Sequence, residues 1–154
     1  MANLKSKLRE ELKQAMLTKD VLKTSVLRLL LSALNYYEIQ KGGAGYEATD
    51  EDVLAVIQKE AKQRNDSIEQ FKNAGRQELV DKENKELEIL KTYLPEQMGE
   101  EEIKKLVIEV IKETGASNIQ EIGKVMGALM PKVKGKADGG LVSRIVKENL
   151  ILNH

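Results

Sequence analysis

Apolar residues recur at helical spacing along almost the whole chain. Leu4, Leu8, Leu12 and Met16 fall four apart, which predicts an amphipathic helix over about residues 3–18. Asp20 is a candidate N-cap for a second helix reaching about Gln40. Val21, Leu22, Val26, Leu27, Leu29, Leu30, Leu31, Ala33 and Leu34 make it apolar on most faces, and a helix of that kind is expected to be buried. Arg28 interrupts the run; its expected role is a packed stem whose head reaches an acid or water. Gly42, Gly43 and Gly45 mark a loop, and Thr49-Asp-Glu-Asp52 resembles a capping box for a third helix to about Ala74. The later part of that helix is polar, with Ala61, Ile68 and Phe71 as a thin stripe. Gly75 suits a helix stop. A fourth helix carries Leu79, Leu87, Leu90 and Leu94 and ends before Pro95.

The segment Pro95 to Gly99 reads as a domain boundary. Three more helices follow it. Ile103, Leu106, Val107, Val110 and Ile111 line the fifth, which ends at Gly115. Ser117 with Gln120 matches a capping box for the sixth, lined by Ile119, Ile122, Val125, Met126, Leu129 and Met130. Asp138 can cap the seventh, with Leu141, Val142, Ile145, Val146 and Leu150. No stretch sustains apolar–polar alternation, so the expected fold is all-α. Its two helical subdomains are a four-helix part over 1–95 and a three-helix bundle over 96–154.

Charge changes this picture only locally. The 25 basic and 25 acidic residues balance, so no global field demands a polyanion. Glu96, Glu100, Glu101, Glu102, Glu109 and Glu113 make the stretch after Pro95 acidic. The sign then reverses: Lys124, Lys132, Lys134, Lys136, Arg144 and Lys147 stand against Asp138 alone. Cysteine is absent, the first residues lack the apolar core of a secretory signal, and Val26–Leu34 is too short to span a bilayer. The expectation from these features is a cytoplasmic protein without a membrane partner.

Catalytic constellations are hard to assemble. The one histidine is His154, at the very end of the chain, so Ser–His and Cys–His nucleophile systems are effectively excluded. No Walker A loop occurs, and transition-metal ligation lacks both cysteine and a usable histidine. Acid pairs such as Glu100–Glu102 and Asp50–Asp52 sit at helix starts, where the macrodipole favours them. No cofactor, metal or catalytic residue is therefore expected.

The stretch Gly123–Gly140 departs most from ordinary helix. Gly123 and Gly127 lie in an apolar helical pattern, where each costs about 1 kcal/mol against alanine. Close crossing by a neighbouring helix is the preferred reading of that pair, and approach of a ligand backbone the other. Pro131 is followed by a glycine- and lysine-rich segment expected to be loop. Lys132, Lys134 and Lys136 on that loop, with Arg144 and Lys147 three apart on the next helix, form a basic cluster. Such a cluster is as often a solvated face as a site. The seventh helix's amino end also suits phosphate. No aromatic residue follows Tyr93, so base stacking has no platform, and a nucleic-acid partner would be read through backbone, 2′-hydroxyls and shape.

Gly123-Lys-Val-Met126, Met130 and Gly135-Lys-Ala-Asp138 resemble the tail domain of the GatB/YqeY family. Arg76-Gln-Glu-Leu79, Glu86, Leu90 and Tyr93-Leu-Pro95 resemble the family's free-standing YqeY-like proteins, so the resemblance spans nearly the whole chain. It implies a three-helix tail after Pro95. In the amidotransferase subunit GatB that tail contacts the tRNA elbow, while separate domains, lacking here, perform the glutamine-dependent chemistry. Asp138-Gly139 stands where GatB tails often carry Asn-Pro. The leading expectation is a non-catalytic tRNA-binding accessory protein using Lys124, Lys132, Lys134, Gly135, Lys136, Asp138, Arg144 and Lys147. The alternatives are an adaptor for an amidotransferase or aminoacyl-tRNA synthetase, through the polar third helix and the acids between Glu100 and Glu113, and a contribution to carbon–nitrogen ligase chemistry with glutamine as amide donor.

Overall fold

The computed structural model describes residues 3–152, so the expectation placed on His154 lies outside the described residues. The described chain is all helical: α1 Leu4–Leu17, α2 Val21–Gly42, α3 Asp50–Asn73, α4 Gln77–Lys91, α5 Glu100–Thr114, α6 Ile122–Val133 and α7 Gly139–Leu152. One 3₁₀ turn, Ile119–Glu121, precedes α6. The chain separates into two compact units, Met1–Leu94 and Pro95–His154.

In the first unit α1 lies along α2 and α3 along α4, with α2 also meeting both α3 and α4. Leu8, Val26, Leu27, Leu30, Leu34, Val53, Ile57 and Leu90 fill the core. Full burial of a side chain of this size contributes about 1.5–3 kcal/mol. The expectation that α2 is buried all round is corrected. Leu27, Leu30 and Leu34 point inward, but Val21, Leu29, Tyr36 and Ile39 on the far side stand 54–79% exposed. Four helices can cover only the inner arc of α2, and no other element of the unit lies over its outer arc. Arg28 is on that side, exposed, with its Nη2 donating to Met16 Sδ at 3.3 Å.

The thin apolar stripe of α3 is explained by an ion pair. Between Ala61 and Ile68, Arg64 donates to Glu83 at 3.2 Å and to Glu86, both on α4. Two carboxylates thus engage Nη1 of a cation set among buried neighbours, while its Nε is buried without a hydrogen-bond partner among the described residues. A second buried pair ties α1 to α2: Lys5 Nζ lies 2.7–2.8 Å from both carboxylate oxygens of Glu38, which also accepts the Ala48 N–H at 2.6 Å. The Thr49–Asp52 capping box forms as the spacing predicts.

In the second unit α5, α6 and α7 pack mutually around Ile103, Val107, Val125, Leu129, Val142, Ile145, Val146 and Leu150. Gly115 closes α5 at φ 70°, a left-handed conformation that glycine adopts without a Cβ clash. Two local expectations change here. The Ser117–Gln120 box does not form: Asn118 caps the 3₁₀ turn through Gln120 N–H, and Glu121 reaches back to Ser117 N–H at 2.6 Å. Asparagine next to the turn offers a shorter, better-placed acceptor. Pro131 does not end α6, which continues to Val133 with Lys134 N–H donating to Met130 O at 3.0 Å. Proline's fixed φ suits a helix, and so near the C-terminus only one internal bond is lost. Lys132 is therefore helical rather than in a loop.

Candidate nucleic-acid interface

Helix α6 turns Val125, Leu129 and Val133 into the core. The residues left outside are Gly123, Gly127 and Pro131, four apart, with Lys124 beside them, all exposed. A Cβ placed at Gly123 or Gly127 would meet nothing within 4 Å. The glycine pair is therefore no helix crossing: its face is open. Pro131 has no N–H to give the Gly127 carbonyl, the acceptor one turn before it. Met126 packs against the core as expected, whereas Met130 is 37% exposed at the edge of the open face.

Beyond α6 the chain makes an ordered turn. Lys136 and Ala137 N–H both return to Val133 O, at 2.8 and 3.1 Å, and Gly135 takes φ 76°. Gln97 Nε2 donates to Gly135 O at 2.9 Å and Met98 N–H to Lys136 O at 2.8 Å. Two carbonyls of the turn are thus held while the Lys134 and Lys136 side chains are exposed. Asp138 serves the fold: its carboxylate accepts Leu141 N–H at 3.2 Å and its carbonyl accepts Val142 N–H. A carboxylate already sits at the start of α7, so that helix terminus is not an open phosphate seat.

The predicted cations do not form one patch. Arg144 Nη2 lies 3.0 Å from Glu100, in the first turn of α5, and Lys132 Nζ lies 3.6 Å from Glu113, in its last turn. The four side chains are 45–61% exposed. Exposed pairs of this kind contribute about 0–1 kcal/mol, so either acid can yield to a phosphate at little cost. Lys124, Lys136 and Lys147 are exposed and make no ion pair among the described residues. Lys124 precedes Lys132 by two turns of α6, about 12 Å along its axis. The arrangement is an open strip of backbone bordered by exposed cations.

Sequence reasoning missed a built cluster in the first unit. Asp52 accepts Tyr46 Oη at 2.6 Å, Tyr37 Oη at 2.8 Å, Lys41 Nζ at 2.9 Å and Thr49 N–H at 3.0 Å. The Lys41 ammonium lies 5.6 and 5.4 Å from the Tyr37 and Tyr46 ring centroids. The Tyr46 hydroxyl, then the Lys41 ammonium, hold the Asp52 carboxyl well below the usual carboxylate range. Asp52 in turn pushes the Lys41 ammonium above the ordinary lysine range and raises the Tyr46 phenol. Neither a free base nor a neutral amine results, so the cluster clamps the loop between α2 and α3. Its sequence signal was Tyr37 and Lys41 one helical turn apart, with an aspartate in the third position of the capping box.

Fold and site together define an all-helical protein of two small units with an exposed, basic-bordered strip on the second. Residues 5–150 match the family described as Yqey-like protein, and the chain belongs to that family. Among curated relatives, it is 38% identical over 103 residues to a protein of Pyrenophora tritici-repentis named "Altered inheritance of mitochondria protein 41, mitochondrial", covering 65% of this chain and 56% of that protein. A protein of the same name from Lachancea thermotolerans is 38% identical over 121 residues, 77% of this chain and 61% of the relative. An uncharacterised protein of Schizosaccharomyces pombe is 34% identical over 94 residues, 61% and 74% respectively. The chain thus covers less than two thirds of the first two relatives.

These relatives overturn the cytoplasmic expectation, since their names place them in mitochondria. The expectation rested on lacking cysteine and a secretory core, and neither bears on a mitochondrial address, which amphipathic Arg- and Ser-rich segments carry. No helix of the described residues is long and apolar enough to cross a membrane.

Proposed function

We propose that the chain is a non-catalytic accessory protein that binds folded RNA, with tRNA as the leading candidate, through the outer face of α6 and the Lys134–Lys136 turn. The observation that carries this reading is the open Gly123–Gly127 face beside exposed lysines. Glycine in mid-helix, as at Gly127, is unfavourable, packing requires neither glycine here, and bare backbone lets a ribose–phosphate chain approach closely. The Gly127 carbonyl, without a helical donor, suits a 2′-hydroxyl. Lysines around the strip supply phosphate contacts that position without reading sequence. The relatives' names make mitochondrial RNA the first pool to test.

The adaptor reading, toward an amidotransferase or aminoacyl-tRNA synthetase, ranks second because the acids of α5 and the polar part of α3 lie on ordinary helix, with no counterpart to the open glycine strip of α6. A part in carbon–nitrogen ligase chemistry has the family association alone.

The test is binding of tRNA to the full chain across a salt series. With about three phosphates contacted, log affinity should fall against log salt with a slope of about −2 to −3. Replacing Lys134 and Lys136 together with alanine should weaken different tRNAs alike and flatten the slope, with helicity unchanged. Unstructured RNA of equal length should bind more weakly. No tRNA binding at low salt, or binding indifferent to the double substitution, would overturn the reading and put the adaptor first.

A further inference from the structure

The outer arc of α2 carries a strip that the RNA reading does not use. Val21, Ser25, Leu29, Ser32, Tyr36 and Ile39 follow one another at three- and four-residue steps, so they share one face of the helix. Val21 is 79% exposed, Leu29 54%, Tyr36 66% and Ile39 63%, and both serines are exposed too. Met16 and Leu17, 44% and 67% exposed, extend the strip across the end of α1. From Val21 to Ile39 the strip is about 27 Å long. Singly exposed apolar residues are ordinary, but a contiguous strip of this length marks a contact surface.

The order of sizes along the strip points to its occupant. Read forward it runs Val, Ser, Leu, Ser, Tyr, Ile. Laid antiparallel on itself, Val21 meets Ile39, Ser25 meets Tyr36 and Leu29 meets Ser32, each pair at the same level to within one residue. A small side chain stands opposite a large one at every interior level. An open groove of about 740 Å³, bordered by Met16, Val21, Ser25 and Leu29, lies where the second Tyr36 ring would enter. Self-complementarity about a twofold axis is what an isologous interface requires and what an unrelated partner would not. The strip's own polar members are serines; Arg28, which flanks it and lines the groove together with Lys19, turns its guanidinium to Met16 Sδ at 3.3 Å.

We infer that this chain forms a twofold-symmetric dimer by antiparallel pairing of α2 with α2 of a second copy, centred between Leu30 and Leu31. The contact is a single pair of helices, at the lower end of specific interface sizes, so the dimer is concentration-dependent.

Sedimentation velocity on the full chain, from micromolar to millimolar, reads the equilibrium. Tyr36→Lys, at an exposed position, should leave far-UV circular dichroism unchanged and raise the dimer dissociation constant about tenfold or more. The chain has no cysteine, so single introduced cysteines report register. Ser32→Cys places its sulfur about 4–5 Å along the axis from its counterpart and should cross-link on mild oxidation. Val21→Cys and Gln40→Cys lie about 28 Å from their own counterparts and should not cross-link alone, but should do so when mixed. A chain monomeric throughout, a dimer indifferent to Tyr36→Lys, or cross-linking by Gln40→Cys alone would each overturn the inference. So would a monomer that instead binds anionic vesicles through the same strip.

Discussion

The buried Lys5–Glu38 pair allows the sharpest test of the first unit's energetics. Both side chains are under 10% exposed, and Glu38 holds Lys5 through both oxygens while accepting the Ala48 N–H. Lys5→Met removes one charge and leaves the other buried with a single backbone donor. Breaking such a pair from one side costs about 3–5 kcal/mol, against about 5–15 kcal/mol for the whole stability of an ordinary domain. Replacing both residues, as Lys5→Met with Glu38→Leu, leaves only the Ala48 N–H without a partner, at about 1–3 kcal/mol. The double variant should therefore be more stable than the Lys5→Met single. All four tyrosines, Tyr36, Tyr37, Tyr46 and Tyr93, lie in the first unit and tryptophan is absent, so tyrosine fluorescence in a urea titration follows that unit alone. Acidity gives a second readout. The Lys5 hydrogen bond keeps the Glu38 carboxyl below its ordinary value of 4.5, so its contribution is present above that pH and is lost as pH falls below it through the lowered folded value. In Lys5→Met the buried carboxyl favours its neutral form, and the deficit against wild type should shrink on acidification. A single variant within about 0.5 kcal/mol of wild type, as for a surface change, would refute the reasoning.

Two further outcomes are expected. Asp52 also lies below the ordinary carboxylate range, so tyrosine fluorescence should show the first unit losing stability below pH about 4, and Asp52→Asn should blunt that loss. Gly123→Ala with Gly127→Ala should stabilise the second unit by about 1 kcal/mol, most of it from the interior Gly127, since both glycines are helical with open space at the Cβ, while weakening RNA binding if backbone approach is the basis of the site.

The helices were legible because the pattern that drives them is local. Leu4, Leu8 and Leu12 declare a face by spacing alone, and Gly115 or the Thr49–Asp52 box declares an end by backbone chemistry. What stayed hidden depends on which neighbours arrive. The apolar content of α2 does not say that only one arc will be covered, because coverage is set by how many helices the unit has. The pairing of Arg64 was hidden because Glu83 and Glu86 lie nineteen and twenty-two residues on, beyond any helical spacing. The lysines of the second unit were legible as a cluster, but the acids at both ends of α5 that divide it became visible only once the bundle closed.

The two glycines of α6 separate the demands of folding from those of recognition. A bundle of about sixty residues is marginal in the apolar surface it can bury. The two glycines of α6 lower its stability by about 1 kcal/mol, most of it at the interior Gly127, and no neighbour crosses them to return that energy through closer packing. Pro131, one turn further on, removes another internal hydrogen bond from the same face. Three successive positions of one strip thus each weaken the helix, while the inward positions between them, Val125 and Leu129, are fully buried. If the strip were only solvated surface, alanine or glutamate would serve every one of these positions better. Stability and RNA affinity should therefore move in opposite directions on Gly123→Ala/Gly127→Ala. If they rise together, or affinity is unmoved, the strip is not where RNA is held, and the exposed lysines alone must account for any binding.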